Sequence, residues 1–224
     1  FMYGNKYTDP IDGNTFRAFL PYGYNKIRNN VLSPSTYSLE RHRLLWLYLK
    51  NETSFFKAKL KVLHFAPEAA LMNQFKKLKN LSYETIDLNS PIADIKADIC
   101  DLPFLDNSYD FILCNHVLEH IIDDNKAMRE LYRVLKKNGI GIFQVPMDYN
   151  RDTTFEDFSV TNKKERNKLF GQYDHVRIYG LDFFNRLQKA GFSVERCEYT
   201  SKLSKEDIVK FCLPKKEIIP ICRK

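Results

Sequence analysis

The chain has 224 residues, 44% of them hydrophobic and 14% aromatic, which is enough to bury a core without disulfide or metal staples and reads as one domain plus a short appendage. No apolar run approaches the roughly 20 residues of a membrane-spanning helix, and no charged start with a long apolar stretch reads as a signal peptide, although the abrupt Phe1 start hints at a trimmed chain. The net charge of +7 is dispersed with no block of five or six like charges, so a solvated basic surface competes with an anionic or nucleotide-linked substrate, and five irregularly spaced cysteines read as reduced thiols in a cytoplasmic protein.

Residues 1–36 are rich in Gly, Pro, Asn, Asp and Tyr without helical periodicity, and are expected as loop and short strand. Ser38 offers an N-cap, and Glu40 a first-turn negative charge, for a helix over 39–50 with Leu44, Leu45, Trp46, Leu47 and Leu49 on its apolar side. From Lys61 onward short apolar runs alternate with helical ones, the pattern of a parallel sheet covered on both faces. Asp123 and Asp124 open a helix with Ala127, Met128, Leu131, Val134 and Leu135 on one face, and Arg133, Lys136 and Lys137 fill its expected last turn before Gly139. A strand over 140–145 is stopped by Pro146, and the polar stretch 148–174 is expected as an insertion over the site. A helix over 181–190 ends at Gly191, a strand follows over 192–199, and the tail, 206–224, is expected to complete the sheet with an antiparallel strand near 217–222.

Asp87 lies about twenty residues past the apolar run Lys61-Val62-Leu63-His64-Phe65-Ala66-Pro67 and closes a second run, Tyr83-Glu84-Thr85-Ile86. That is the spacing at which a βαβ unit presents a carboxylate to a ribose, and the alternative role is an Asx-turn or helix cap. The turn between the runs lacks the usual glycines, with Ala66 and Glu68 in their places. Pro67 removes an amide donor and Glu68 repels phosphate, which disfavours a pyrophosphate cofactor such as NAD or FAD. Downstream stand Ala97-Asp98-Ile99-Cys100-Asp101-Leu102-Pro103-Phe104, and then Tyr109-Asp110-Phe111-Ile112-Leu113-Cys114-Asn115-His116-Val117-Leu118-Glu119-His120.

Over residues 60–146 the sequence resembles the Rossmann-like, seven-stranded, class I (type 11) methyltransferases that use S-adenosylmethionine, and His64-Phe65-Ala66-Pro67-Glu68 resembles the first turn of a bacterial subset of them. The resemblance implies an α/β fold: a Rossmann-like, mostly parallel seven-stranded sheet with helices on both faces and a small N-terminal cap. S-adenosylmethionine has no phosphate and carries an ammonium and a sulfonium, which a carboxylate at Glu68 complements. A solvated first-turn residue is the other role open to Glu68. The resemblance places Asp98 beside the adenine amino group with Ile99 flanking the ring, and Asn115 and His116 at the methionine end; Glu119 and His120 either hold the loop or do chemistry. His116 and His120, four apart, also admit a metal pair, but the site is expected to hold no metal.

Relatives with this turn carry two Cys-Pro-x-Cys pairs around Phe-Leu-Pro-Tyr-Gly; here Asp9, Asp12, Ser33 and Thr36 stand in their places around Phe19-Leu20-Pro21-Tyr22-Gly23. Oxygen ligands suit tetrahedral zinc poorly, so residues 1–37 are expected as a degenerate ribbon-like cap held by packing, with a hard-cation site on Asp9 and Asp12 as the alternative. Residues 38–224 then form the methyltransferase domain, with the insertion near 148–180. By resemblance the segment from Phe170 to Gly180 lies where substrates are recognised, with Arg177 and Tyr179 as substrate contacts. His175, whose reference pKa is near neutral, is the expected general base, unless it and Arg177 merely tie the insertion down. The function implied is O-methylation of a sugar or other small metabolite. A nucleic-acid binding or modifying protein and a catalytically silent scaffold on the same fold are the alternatives.

Overall fold

The computed structural model describes residues 2–23 and 27–224; Phe1 lies outside them. The chain divides into two compact units, the first comprising Phe1–Lys59, Glu68–Leu81 and Cys197–Ile219, the second Leu60–Pro67, Ser82–Arg196 and Pro220–Lys224.

The first unit begins with strands β1 (Tyr3–Thr8) and β2 (Thr15–Phe16), paired antiparallel, and β3 (Leu20–Tyr22) and β4 (Arg28–Leu32), also antiparallel. Helix α1 (Glu40–Glu52) follows one residue later than the spacing predicts. Its N-cap is Leu39 rather than Ser38: the Leu39 amide donates to Nδ1 of His42 at 3.2 Å, and the Ser38 hydroxyl donates instead to Asp9 Oδ2 at 3.1 Å. Helix α2 (Ala69–Phe75) belongs to the same unit, and its Phe75 stacks on Trp46 with ring centres 5.8 Å apart.

Two turns face each other through side chains in this unit. Asp9 is fully buried; its Oδ1 accepts from the Ile11 amide at 2.9 Å, and its Oδ2 also accepts from the Thr36 hydroxyl at 2.5 Å. Ser33 is equally buried and reaches Ser35 at 3.2 Å, whereas Asp12 turns to the amide and side chain of Asn14. A carboxylate–hydroxyl network thus joins Asp9 to Thr36, and Asp12 takes no part in it.

The second unit carries most of the seven-stranded sheet, formed by β5 (Leu60–Phe65), β6 (Leu81–Asp87), β7 (Ile95–Lys96), β8 (Tyr109–Cys114), β9 (Leu135–Ile142), β12 (Ser193–Cys197) and β13 (Ile219–Arg223) in the order β12-β13-β9-β8-β5-β6-β7. Strands β5, β8 and β9 run parallel, as do β6 and β7, while β13 pairs antiparallel with β9, as expected for the tail. Helix α3 (Asp124–Val134) stops earlier than expected, because Leu135 already enters β9; Lys136 then lies in the strand and pairs with Asp110 at 2.9 Å. The carbonyls of Arg133 and Val134 are satisfied by the amides of Asn107 and Ser108. Ala127, Met128, Leu131 and Val134 of α3 and Phe183 and Leu187 of α5 (Phe183–Lys189) join Leu63, Ile112 and Phe143 in one buried core. Between β9 and α5, the stretch expected as an insertion holds β10 (Phe155–Glu156) and β11 (Arg177–Ile178), paired antiparallel, and α4 (Lys163–Phe170). Helix α6 (Lys205–Lys210), in the first unit, has no counterpart in the sequence-based expectation.

Candidate active site

The order of strands reverses between β5 and β8, and in open α/β sheets ligands bind at the carboxyl edge beside such a reversal. The chain leaves β5 through Ala66, whose φ of 44° lies in the left-handed region that glycine fills most readily, so the backbone of the usual glycine turn is kept without glycine. The Ala66 amide donates to the Ile86 carbonyl at 2.9 Å, fastening the turn to β6.

Asp87 ends β6 and divides its carboxylate: Oδ1 accepts from the amides of Asn89 and Ser90 at 2.7 and 2.6 Å, while Oδ2 has no partner among the described residues. The Asx-turn therefore takes one oxygen and leaves the other without a partner among the described residues. Asp98 Oδ1 accepts from the Cys100 amide at 2.8 Å, and Ile99 beside it is buried.

Asn115 and His116 leave β8. Asn115 is buried, its Oδ1 accepts from the Gln144 amide at 3.3 Å, and its Nδ2 is buried with no hydrogen-bond partner. An unpaired buried donor is costly unless a ligand or water satisfies it. His116 has a φ of 55°, and its amide donates to the Gln144 carbonyl at 2.7 Å.

A single turn of 3-10 helix, Leu118–His120, follows and delivers the residues that sequence reasoning left undecided. Glu119 is 1% exposed, with Oε1 3.4 Å from His116 Nδ1 and neither oxygen hydrogen-bonded. His120 and His175 meet edge to face with ring centres 4.7 Å apart. Burial pushes the His175 imidazole below its ordinary range, and the attraction of Glu119 offsets that only in part, so the ring is neutral at pH 7. The sequence carried a signal for this group in the run His116-Val117-Leu118-Glu119-His120. It held no signal that His175, 55 positions on, would join it.

Arg177 and Tyr179, expected as substrate contacts, are buried and spend their polar atoms within the protein. The Arg177 guanidinium is buried and donates to the carbonyls of Leu118, Ile121 and Ile122 and to Glu156 Oε2, and the Tyr179 hydroxyl donates to Asp124 Oδ2 at 2.8 Å. Arg186 bridges the same two carboxylates, Asp124 and Glu156. These side chains hold the 3-10 turn and the stretch after it in place, because a buried guanidinium is stable only where its donors are met.

Glu68 belongs to the first unit. It is the N-cap residue of α2, its Oε1 lies 3.7 Å from His42 Nε2, and with His42, Thr36, Asn73 and Lys77 it lines a cavity of about 410 Å³.

Residues 55–143 match a methyltransferase domain family. The matched stretch contains the Ala66 turn, Asp87, Asp98 and Asn115. The chain is similar to the ubiquinone/menaquinone biosynthesis C-methyltransferase of Rickettsia typhi, 42% identical over 64 residues that make up 28% of this chain and 26% of that protein. It thus spans about a quarter of the length of that curated relative. Among solved structures, an S-adenosylmethionine-dependent methyltransferase from Mesorhizobium loti is similar with a TM-score of 0.55 and 14% identity, over 80% of this chain and 98% of the other. The 1,6-didemethyltoxoflavin-N1-methyltransferase of Burkholderia thailandensis, solved with S-adenosylhomocysteine, is similar with a TM-score of 0.51 and 12% identity, over 83% and 77%. At such identities the likeness is one of fold, and it is the Rossmann-like α/β fold of methyltransferases.

Proposed function

We propose that the protein is an S-adenosylmethionine-dependent methyltransferase of the bacterial subset with the His64–Glu68 turn, acting on the oxygen of a sugar or other small metabolite in a reducing compartment such as the cytoplasm. The observation that carries the reading is the unpaired, buried Nδ2 of Asn115, at the carboxyl edge of a sheet whose strand order reverses beside it and within the stretch that matches a methyltransferase domain. Asp87 supplies a free acceptor oxygen for a ribose at the end of β6. Asp98 and Ile99 are assigned to the adenine, and Asn115, His116 and the Ala66 turn to the methionine end. The bound cofactor supplies an electrophilic methyl on a sulfonium.

The chain's own contribution is to hold an acceptor in line with that methyl, for which orientation is the main source of rate. His175, neutral and buried, serves the deprotonation of the acceptor. Arg177 and Tyr179 position the turn that carries Glu119 and His120. Residues 1–37 form the cap, in which the Asp9–Thr36 network takes the place of a metal, and 38–224 the methyltransferase domain.

The test is calorimetric titration of S-adenosylhomocysteine into the wild type and Asp87→Asn. Asparagine keeps an oxygen for the Asn89 and Ser90 amides but replaces the free carboxylate oxygen, so binding is expected to weaken by about 2 kcal/mol, roughly thirtyfold. Equal affinity in both proteins would remove Asp87 from the cofactor site, and no binding by the wild type would remove the assignment.

A further inference from the structure

The cluster after β8 has more ligating capacity than one general base needs. One oxygen of Glu119 and one ring nitrogen each of His120 and His175 all lie within 4.8 Å of one another. Glu119 is 1% exposed with both oxygens lacking a hydrogen bond, and a buried carboxylate in that condition is costly unless a cation meets it.

The histidines are set as metal-bound histidines are, each with a second partner that fixes the ring. His120 Nδ1 lies 3.3 Å from the Asp174 carbonyl and 3.5 Å from its carboxylate, which leaves Nε2 as the free nitrogen. Asp174 is itself oriented by Gln172, whose Nε2 donates to Oδ1 at 2.9 Å. His175 interacts with the backbone of Phe170. Such outer partners hold the tautomer and direct the remaining nitrogen to an ion. The Val176 amide, donating to the Glu119 carbonyl at 3.0 Å, locks the two segments in register. His120 is 28% exposed by its side chain, which gives an ion a way in.

We propose that Glu119, His120 and His175 form a binding site for one divalent transition-metal ion, Zn²⁺ by preference. Two imidazoles and one carboxylate are the ligand set of zinc sites that keep a fourth position open for water or a substrate oxygen. The inference goes beyond the methyltransferase reading and does not depend on it.

The experiment strips the full chain of metal and titrates it with Zn²⁺ against a chromophoric chelator, and separately with Co²⁺ read by visible absorption. One ion per chain is expected, with an absorption band for bound Co²⁺. Glu119→Gln and His120→Ala should each weaken Zn²⁺ binding by about 10²-fold or more, and Asp174→Ala, which touches no ion, by about tenfold. His42→Ala should bind as the wild type does, and melting curves of the metal-free variants certify their folds. Absence of stoichiometric binding in the wild type, or wild-type affinity in both Glu119→Gln and His120→Ala, overturns the proposal. Titration of S-adenosylhomocysteine into the metal-free protein tests the cofactor assignment separately, so the two readings fail independently.

Discussion

Arg43 shows how one side chain organises its surroundings. Its guanidinium is fully buried, with Nε donating to the Phe211 carbonyl at 2.7 Å, Nη1 to the Ser38 carbonyl at 2.6 Å, and Nη2 to the carbonyls of Val31 and Cys212 at 3.0 and 2.7 Å, while its Cζ lies over the Phe19 ring, 4.8 Å from the ring centre. Burial pulls its pKa down to about 10, against the attraction of Asp9, so it stays charged at neutral pH. Only a planar fork reaches four carbonyls in these directions. Arg43→Lys is therefore expected to destabilise the protein by about 2–4 kcal/mol, since at least two buried carbonyls lose their donors; chemical denaturation measures this, and a loss under 1 kcal/mol would mean that water replaces the missing bonds. In the sequence Arg43 is one of the dispersed cations behind the net charge of +7. Helical spacing places it on a face, but only the fold brings the Phe211 and Cys212 carbonyls to it.

Among the elements, β10, β11 and α5 are joined by a charge network that composition alone made look like a polar insertion. Glu156 lies between Arg177 and Arg186 at 2.9 and 3.1 Å. Burial acts to raise its pKa, but the hydrogen bonds from Arg186 and Arg177 and their charge outweigh it and hold the carboxyl below the ordinary carboxylate range. A carboxylate whose pKa is depressed by folding contributes stability that is present above its unfolded pKa, about 4.3, and is lost as pH falls through the folded value. Glu156→Gln is expected to cost about 1–2 kcal/mol at pH 7, and the gap to the wild type should close as pH drops below about 4. Melting curves across pH 3–7 would show it; a gap independent of pH would mean that packing, not charge, holds this element. Gly180 marks the same junction: a Cβ there would come within 2.7 Å of the Arg151 carbonyl, so the close approach admits only glycine.

For the whole molecule, the net charge of +7 hides extensive local pairing. Arg133 pairs with Glu130 and Asp106, Lys136 with Asp110, and Arg177 and Arg186 with Asp124 and Glu156. Cations held this way do not release counterions from a polyanion as a basic stripe does. Single-stranded RNA is thus expected to bind no more tightly than about 10⁻⁵ M at 0.15 M salt; submicromolar binding with a steep salt slope would return the nucleic-acid reading.

The sequence by itself determined the alternation of strands and helices and the parallel core, because period and burial are local properties of a segment. It also located Asp87 and Asn115, since strand ends are marked by where apolar runs stop. Other features were decided only by the tertiary structure. The end of α3 shifted because Leu135 and Lys136 found partners in the neighbouring strand. Arg177 and Tyr179 became supports because the carbonyls that they satisfy lie more than 50 positions away. Glu119, His120 and His175 became one cluster for the same reason: ligating geometry is a matter of distance in space, and a chain reveals that distance only after it has folded.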